Sequence, residues 1–352
     1  MSLIHLSSPH VSKANATDRV MRLVLIATLP ALIALTIFFG WGSLIQVLLA
    51  CTSALAFEAA CLWMRKRPML FFLRDGSALV TAVLIALAIP PFAPWWVVVI
   101  GTFTAIVIAK HLYGGLGNNP FNPAMVAYAL LLISFPAEMT QWNAPFVLIG
   151  DNWNVLASFT DSLVIIFSSI NHGMIDAYTG ATPLEVLKHR GGMTTEEVWR
   201  NNPVLSQGVF AWYGISAVWL MGGIFLIYRK VFTWHAPFAM ITTLFLLSSL
   251  FYAGDPSNFA DPFLHIGVGA TMMCAFFIAT DPVSGATSNK GKVIFGIGVG
   301  ALIYIIRTWG SYPDAAAFAI LLMNLSAPFI DHYTQPRSYG HARANRGIGG
   351  GK

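Results

Sequence analysis

The sequence predicts an all-α polytopic membrane protein of about ten transmembrane helices, arranged as two inverted five-helix repeats with broken helices. Three observations predict it: the composition, a series of apolar runs, and a recurring pattern of prolines and basic residues. The chain of 352 residues is 56% hydrophobic and only 10% charged, whereas soluble domains carry about 25% charge. Lipid is therefore the expected main solvent. The net charge of +5 does not mark a nucleic-acid partner. The basic residues fall in short gaps between apolar runs, not along one face, and such placement sets membrane orientation.

In chain order, the apolar runs lie near Met21–Phe39, Leu44–Trp63, Ala78–Ile89, Trp95–Ala109, Ala124–Phe135, Phe210–Tyr228, Val231–Tyr252, Ile266–Ala279, Val293–Ile306 and Ala315–Ile330. The first is long enough to span and is not followed by a small-residue cleavage site, so it reads as an uncleaved helix. Several others are shorter than the roughly 20 residues a crossing needs. The short ones sit beside Pro90 and Pro91, Pro120 and Pro123, Pro282, and Pro313. Broken helices persist at membrane depth only where protein or a watery cavity satisfies their backbone groups. The three cysteines, Cys51, Cys61 and Cys274, lie inside apolar runs and read as small buried hydrophobes.

Charge gives the sidedness. Lys13, Arg19, Arg22, Arg65, Lys66, Arg67, Arg74, Lys110, Arg229, Lys230, Lys290, Lys292, Arg337, Arg343, Arg346 and Lys352 all fall on one side. Lys188, Arg190, Arg200 and Arg307 fall on the other, three of them in one long loop, where charge counts little. Both termini are thus expected in the cytoplasm. The expected units are a cytoplasmic start (1–20), a first five-helix repeat (21–136), a periplasmic loop (137–207), a second repeat (208–332) and a cytoplasmic tail (333–352). The repeat shows most clearly where Pro123–Leu132 aligns with Pro313–Leu322, with five identical positions. Lys110 and Arg307 each close an apolar run just upstream, and Gly76–Thr81 resembles Gly267–Thr271. An odd number of helices per half inverts one half relative to the other, with the functional centre expected at the repeat interface.

The sharpest chemical signal is Asp176-Ala-Tyr-Thr-Gly-Ala-Thr182, followed by Pro183. It resembles the D-x-x-[ST]-G-A-T signature on which a flavin transferase builds a phosphoester between FMN and the last threonine. An unaided threonine hydroxyl is a poor nucleophile, so the modifying enzyme must supply base and metal. The small Gly180 and Ala181 let the backbone enter that enzyme's cleft, and Thr179 keeps the hydroxyl of the commoner serine. A second match, Asp281-Pro-Val-Ser-Gly-Ala-Thr287, lies beside Lys290 and Lys292 on the expected cytoplasmic side. An outside transferase could not reach it, so Thr182 is the expected site. Asp281–Thr287 reads instead as a turn with helix caps.

The stretches Asp75–Trp96, Ala109–Pro136, the Thr-Gly-Ala-Thr-Pro-Leu-Glu loop, Gly269–Thr287 and Ser311–Asp331 resemble the D subunit of Rnf-type (Rsx) electron-transport complexes over nearly the whole chain. The B subunit of sodium-pumping NADH:quinone reductase is similar, but its longer N-terminal region favours the Rnf type here. The resemblance implies a six-subunit, ion-translocating oxidoreductase of the bacterial inner membrane. It would couple electron flow between ferredoxin and NAD to Na⁺ or H⁺ movement, or keep a redox-sensing regulator reduced. It also implies covalent FMN at Thr182, maturation by a flavin transferase and, in some relatives, a second non-covalent flavin for which this sequence carries no signal of its own. The rival readings are a redox-inactive channel or secondary transporter and a structural scaffold subunit.

Other residues carry lesser expectations. Glu58, the carboxylate within an apolar run, is either functional or in a local ion pair near Arg65. Lys110, His111 and Arg307 read as anchors or partners of broken-helix carbonyls. The Gly114–Pro120 stretch reads as a tight re-entrant turn whose Asn amides line a polar cavity. Gly296, Gly298 and Gly300 suit close helix packing. Asp75 and Asp314 read as helix caps, and His172 and His189 as solvated loop residues.

Overall fold

In the computed structural model, helix α1 (Thr17–Phe39) shows which solvent this chain meets. Ala27, Ala31, Ala34 and Leu35 are buried, while Ile26, Leu29, Ile33 and Ile37 are each more than half exposed. Their three- and four-residue spacing makes one apolar stripe. A continuous exposed stripe of that kind belongs against lipid. The described residues are 17–145, 158–168, 178–312 and 314–336. Lys13, Asp151, His172, Asp176, Pro313 and the basic residues beyond 336 lie outside them.

After α1 come α2 (Gly42–Met64), the short α3 (Met69–Leu73), α4 (Ser77–Ala88), α5 (Trp95–Phe103) and α6 (Pro123–Ser134). The α5 helix runs into a π-helical stretch, Thr104–His111. The polar region that follows is not a plain loop. It holds α7 (Pro136–Thr140), α8 (Phe159–Phe167), α9 (Pro183–Lys188) and α10 (Thr195–Asn201). It also holds a two-stranded antiparallel pair, β1 (Trp142–Asn143) with β2 (Thr179–Gly180). Two residues per strand are invisible to a periodicity argument.

The second half repeats the order of the first. It has α11 (Val209–Tyr228), α12 (His235–Gly254), the short α13 (Pro262–Gly267), α14 (Thr271–Met273) continuing as a π stretch (Cys274–Ile278), α15 (Asn289–Trp309) and α16 (Ala316–Thr334). In each half a left-handed residue separates two short helices: Gly76 (φ 76°) between α3 and α4, Gly269 (φ 69°) and Ala270 (φ 50°) between α13 and α14. Helix α12 begins at His235, four residues later than the apolar run suggests, because Lys230 turns the chain with φ 58°. The eighth apolar run is interrupted at Gly269 and Ala270, whereas the third stays one continuous helix preceded by Gly76.

Among the described residues, five helices are long and apolar enough to cross a membrane: α1, α2, α11 with its preceding turn, α12 and α15. The chain is an all-α polytopic membrane protein. Small residues set its closest contacts. Gly222 lies under the Ala27 carbonyl, where a Cβ would sit 2.6 Å from the oxygen, and Gly214 lies beside Phe38. These two contacts make α1 and α11 antiparallel. Gly296 and Gly300 face Ala236 and Met240 of α12, whereas Gly298 faces Met323 of α16. The glycines thus allow close packing on two faces of α15.

Candidate functional site

Thr182 sits where an extended strand becomes a helix. The pair β1–β2 places Gly180 opposite Trp142, and Asn143 Nδ2 ties β1 to the Phe39 carbonyl at the end of α1 (3.0 Å). Ala181 is then exposed and Thr182 half-buried. Thr182 caps α9 in a reciprocal box: its Oγ1 accepts from the Glu185 N–H at 3.3 Å, and its own N–H donates to Glu185 Oε2 at 3.4 Å. Pro183 at the first helical position suits that start. Of the expected attachment residues, Thr179, Gly180, Ala181 and Thr182 come together here. Asp176 lies outside the described residues.

Beneath Thr182 lies a cavity of about 80 Å³, lined by Trp142, Trp212, Tyr128, Gly269, Ala270 and Asp314 among others. Trp142, Trp212 and Phe39 form an aromatic cluster with centroids 5.0–6.1 Å apart. The indole N–H of Trp212 is buried without a hydrogen-bond partner among the described residues. The cavity reaches the crossing of α6 and α16. Here Tyr128 Oη donates to Asp314 Oδ2 at 2.8 Å, and Asp314 Oδ1 accepts from the Ala316 N–H. Asp314 thus meets the first N–H of α16 from one residue before the cap position, Ala315, and also links the halves. At the other end of the crossing, the Asn324 amide, oriented by its neighbours, accepts from the Asn122 N–H at 2.9 Å. The contacts 128 with 314 and 122 with 324 run in opposite directions, so the two helices are antiparallel.

The two Thr-containing motifs lie at opposite ends of α1. Thr182 belongs to the Phe39 end. Thr287 lines a cavity of about 350 Å³ together with Val20 and Met21. Nineteen helical residues at ~1.5 Å each separate the ends by about 30 Å. Thr287 is exposed, its N–H donates to Asp331, and Ser288 caps α15 through the Gly291 N–H. Asp281 accepts from Ser284. That is the capped turn the sequence suggested. Asn119 and Asn122 line the same cavity, as do Lys110 and Lys292.

The intramembrane charges pair differently from the expectation. Glu58 does not reach toward Arg65. It is 2% exposed and receives Lys110 Nζ at 2.9 Å on both oxygens, with His111 Nε2 at 3.0 Å. The π-helical stretch supplies the reason, because its wider turn lets the consecutive residues Lys110 and His111 both meet one carboxylate. Lys110 also donates to Ser77 Oγ at the start of α4, while Asp75 accepts from the Ser77 N–H as a cap. Arg65 instead donates to the His111 carbonyl. Arg307 is buried and donates to the carbonyls of His265 and Gly269, so it does serve the broken helix. The Glu58–Lys110 partnership was missed because the residues lie 52 positions apart in different helices. A lone carboxylate in the second apolar run and a lone lysine closing the fourth were the available signal.

The described helices form a membrane bundle with a left-handed break in each half and a capped threonine at one end. The chain belongs to the NQR2, RnfD, RnfE family, whose profile it matches over residues 4–340. It is similar to a protein of Cellvibrio japonicus named as the D subunit of an ion-translocating oxidoreductase complex (50% identity over 98% of this chain and 97% of the relative). It is also similar to the proteins of that name from Ectopseudomonas mendocina (51%, 99% of each) and Vibrio atlanticus (49%, 97% and 100%).

Proposed function

We propose that this chain is the subunit of a redox-driven, ion-translocating complex that carries FMN esterified through its phosphate to Thr182. The observation that carries the reading is the separation of the two motif copies to opposite ends of α1. Arg22, Arg65, Lys66, Arg67, Arg229, Lys230, Lys290 and Lys292 belong to the Thr287 end, and basic ends face the cytoplasm. Thr182 then faces the periplasm, where a secreted transferase acts. The flavin supplies one- or two-electron transfer.

The residues present fit the linkage. Ala181 is exposed and Thr182 half-buried on a turn, and the Glu185 carboxylate holds the Thr182 N–H rather than its hydroxyl hydrogen. The Trp212 N–H offers a free donor in the wall below. The cavity of about 80 Å³ is too small for the ring, since pockets that bury drug-sized ligands hold roughly 300–1,000 Å³. The ring then rests outside, on the loop's outer face or against a neighbouring subunit. Charge changes there would reach the repeat interface through the Asp314–Tyr128 link, biasing Na⁺ or H⁺ occupancy of the bundle. The partners are the remaining subunits of a six-subunit assembly.

The test is in-gel fluorescence of the denatured complex. A flavin band at the mass of this chain, lost in Thr182→Val and retained in Thr287→Val, supports the reading. A colourless chain that conducts solute supports a redox-inactive channel instead.

A further inference from the structure

A second cavity at the Thr182 end has a chemistry that electron transfer does not explain. It measures about 140 Å³ and is lined by Lys188, Arg190, His265, Arg307, Asn258 and Thr195 among others. Three of these side chains are cationic, and no carboxylate lines the cavity among the described residues. Charges of one sign normally gather only where an opposite charge offsets them.

The local acids are engaged elsewhere. Asp255 accepts from Ser257 and Asn258, and Asp261 caps α13. Asp314, the carboxylate that acts on Arg307 from the neighbouring cavity, is held by Tyr128 and the Ala316 N–H. The cations are positioned from several elements. Lys188 Nζ donates to the Tyr312 carbonyl at 2.7 Å, and Arg190 Nη2 donates to Asn258 Oδ1 at 3.3 Å. Arg307 uses both terminal nitrogens on the His265 and Gly269 carbonyls. Its Nε, and Nδ1 of His265, are left without a hydrogen-bond partner among the described residues. Both residues are 6% exposed. An orphaned buried donor is costly, and Arg307 Nε is one; His265 Nδ1 is a second only in the tautomer that carries its proton there, and both residues line this small cavity.

We propose that this cavity binds a tetrahedral oxyanion of the phosphate class, held by Lys188, Arg190 and Arg307 with His265. Such a guest presents mainly acceptor oxygens to a site made largely of donors, and charge-assisted bonds to it are the strong kind. The volume admits one compact anion and excludes a nucleotide or a flavin. A phosphate group can come from solution or from the head of an anionic lipid, because the cavity lies at the end of the membrane helices α12 and α15.

This site is independent of the flavin at Thr182. It is tested on the purified complex, stripped of lipid, by calorimetry with inorganic phosphate. Arg307 variants risk misfolding, so the test pair is Lys188→Gln with Arg190→Gln, against Arg200→Gln, an exposed basic residue of the same loop. The double variant is expected to weaken phosphate binding by about tenfold or more, and Arg200→Gln to leave it unchanged. In a second arm, native mass spectrometry follows retained phosphatidic acid. Lipid retained by the parent complex, released by phosphate and absent from the double variant, assigns the headgroup as the source. Phosphate binding with no lipid retained assigns the free anion. If neither probe binds, if binding survives the double variant, or if chloride displaces phosphate at equal concentration, the proposal is overturned.

Discussion

Lys110 and Arg307 occupy corresponding places in the two halves, yet the protein neutralises them differently. Each closes an apolar run of the fourth segment of its half, and each reaches the break between two short helices: Lys110 to Ser77 Oγ, Arg307 to the Gly269 carbonyl. Lys110 then meets a full counter-charge on Glu58. Arg307 is hydrogen-bonded to carbonyl dipoles instead, and the Asp314 carboxylate acts on it only from the neighbouring cavity. One architecture thus supports two electrostatic solutions. The first half stores a closed, internally balanced ion cluster beside the larger cavity at the basic end. The second half leaves a net positive charge beside a small cavity at the opposite end. The guanidinium suits that second task, because its planar fork spans two carbonyls at once.

Glu58 is where this contrast breaks most readily. Replacing it with Gln leaves Lys110 buried without its counter-charge, and is expected to destabilise the chain by about 3–5 kcal/mol. Joint replacement with Lys110→Met should recover much of that loss, which thermal unfolding of the detergent-solubilised chain would register. Failure of the double variant to recover would mean that Ser77 and His111 depend on the charges themselves. Arg307→Lys keeps the charge but cannot bridge both carbonyls. A loss of about 1–3 kcal/mol is expected, and a neutral outcome would put the weight on charge rather than on the fork. Tyr128→Phe removes one bond between the halves while keeping the ring. Its cost should be about 1 kcal/mol, with a change in any Asp314-dependent activity larger than the loss of stability. Glu185→Ala opens one side of the Thr182 box at about 0.5–2 kcal/mol, read as faster amide exchange across α9.

The smallest effect concerns pH. Hydrogen bonds from Ser257 and Asn258 hold the Asp255 carboxyl below its usual range. A depressed folded value gives stability that is present above the unfolded pKa and lost as pH falls through the folded one. Protection of the Ser257 and Asn258 amides, measured against their intrinsic exchange rates at each pH, should therefore persist near neutrality and be lost only below the ordinary carboxylate range. Loss of that protection at higher pH would show that Asp255 does not hold this turn.

Much of the fold is legible in the sequence because lipid imposes a coarse rule. A long apolar run with charges only at its ends has few alternatives to a membrane helix, and α1, α2, α11 and α15 follow their runs closely. The breaks were legible too, since proline and glycine interrupt the short runs. What escaped was set by partners distant in sequence. Glu58 could not name Lys110, and Asp314 gave only its local capping role, because its bond to Tyr128 crosses 186 positions. The β1–β2 pair escaped because Trp142 and Gly180 carry no repeating pattern. Of the attachment motif the loop was anticipated and the helix start at Thr182 was not, although Thr-Pro-Leu-Glu carries the signature of a capped helix start. The identical Gly-Ala-Thr at 285–287 shows why local chemistry alone does not select a site, and why position along α1 must enter the choice.

Everything proposed for the redox role turns on Thr182, rather than Thr287, bearing the flavin. Peptide mass mapping of the chain purified from its native membrane decides between them. We expect the mass of FMN less one water on the peptide containing Thr182, with the Thr287 peptide unmodified. The same addition on Thr287, or unmodified peptides at both threonines in a redox-active complex, would refute the assignment.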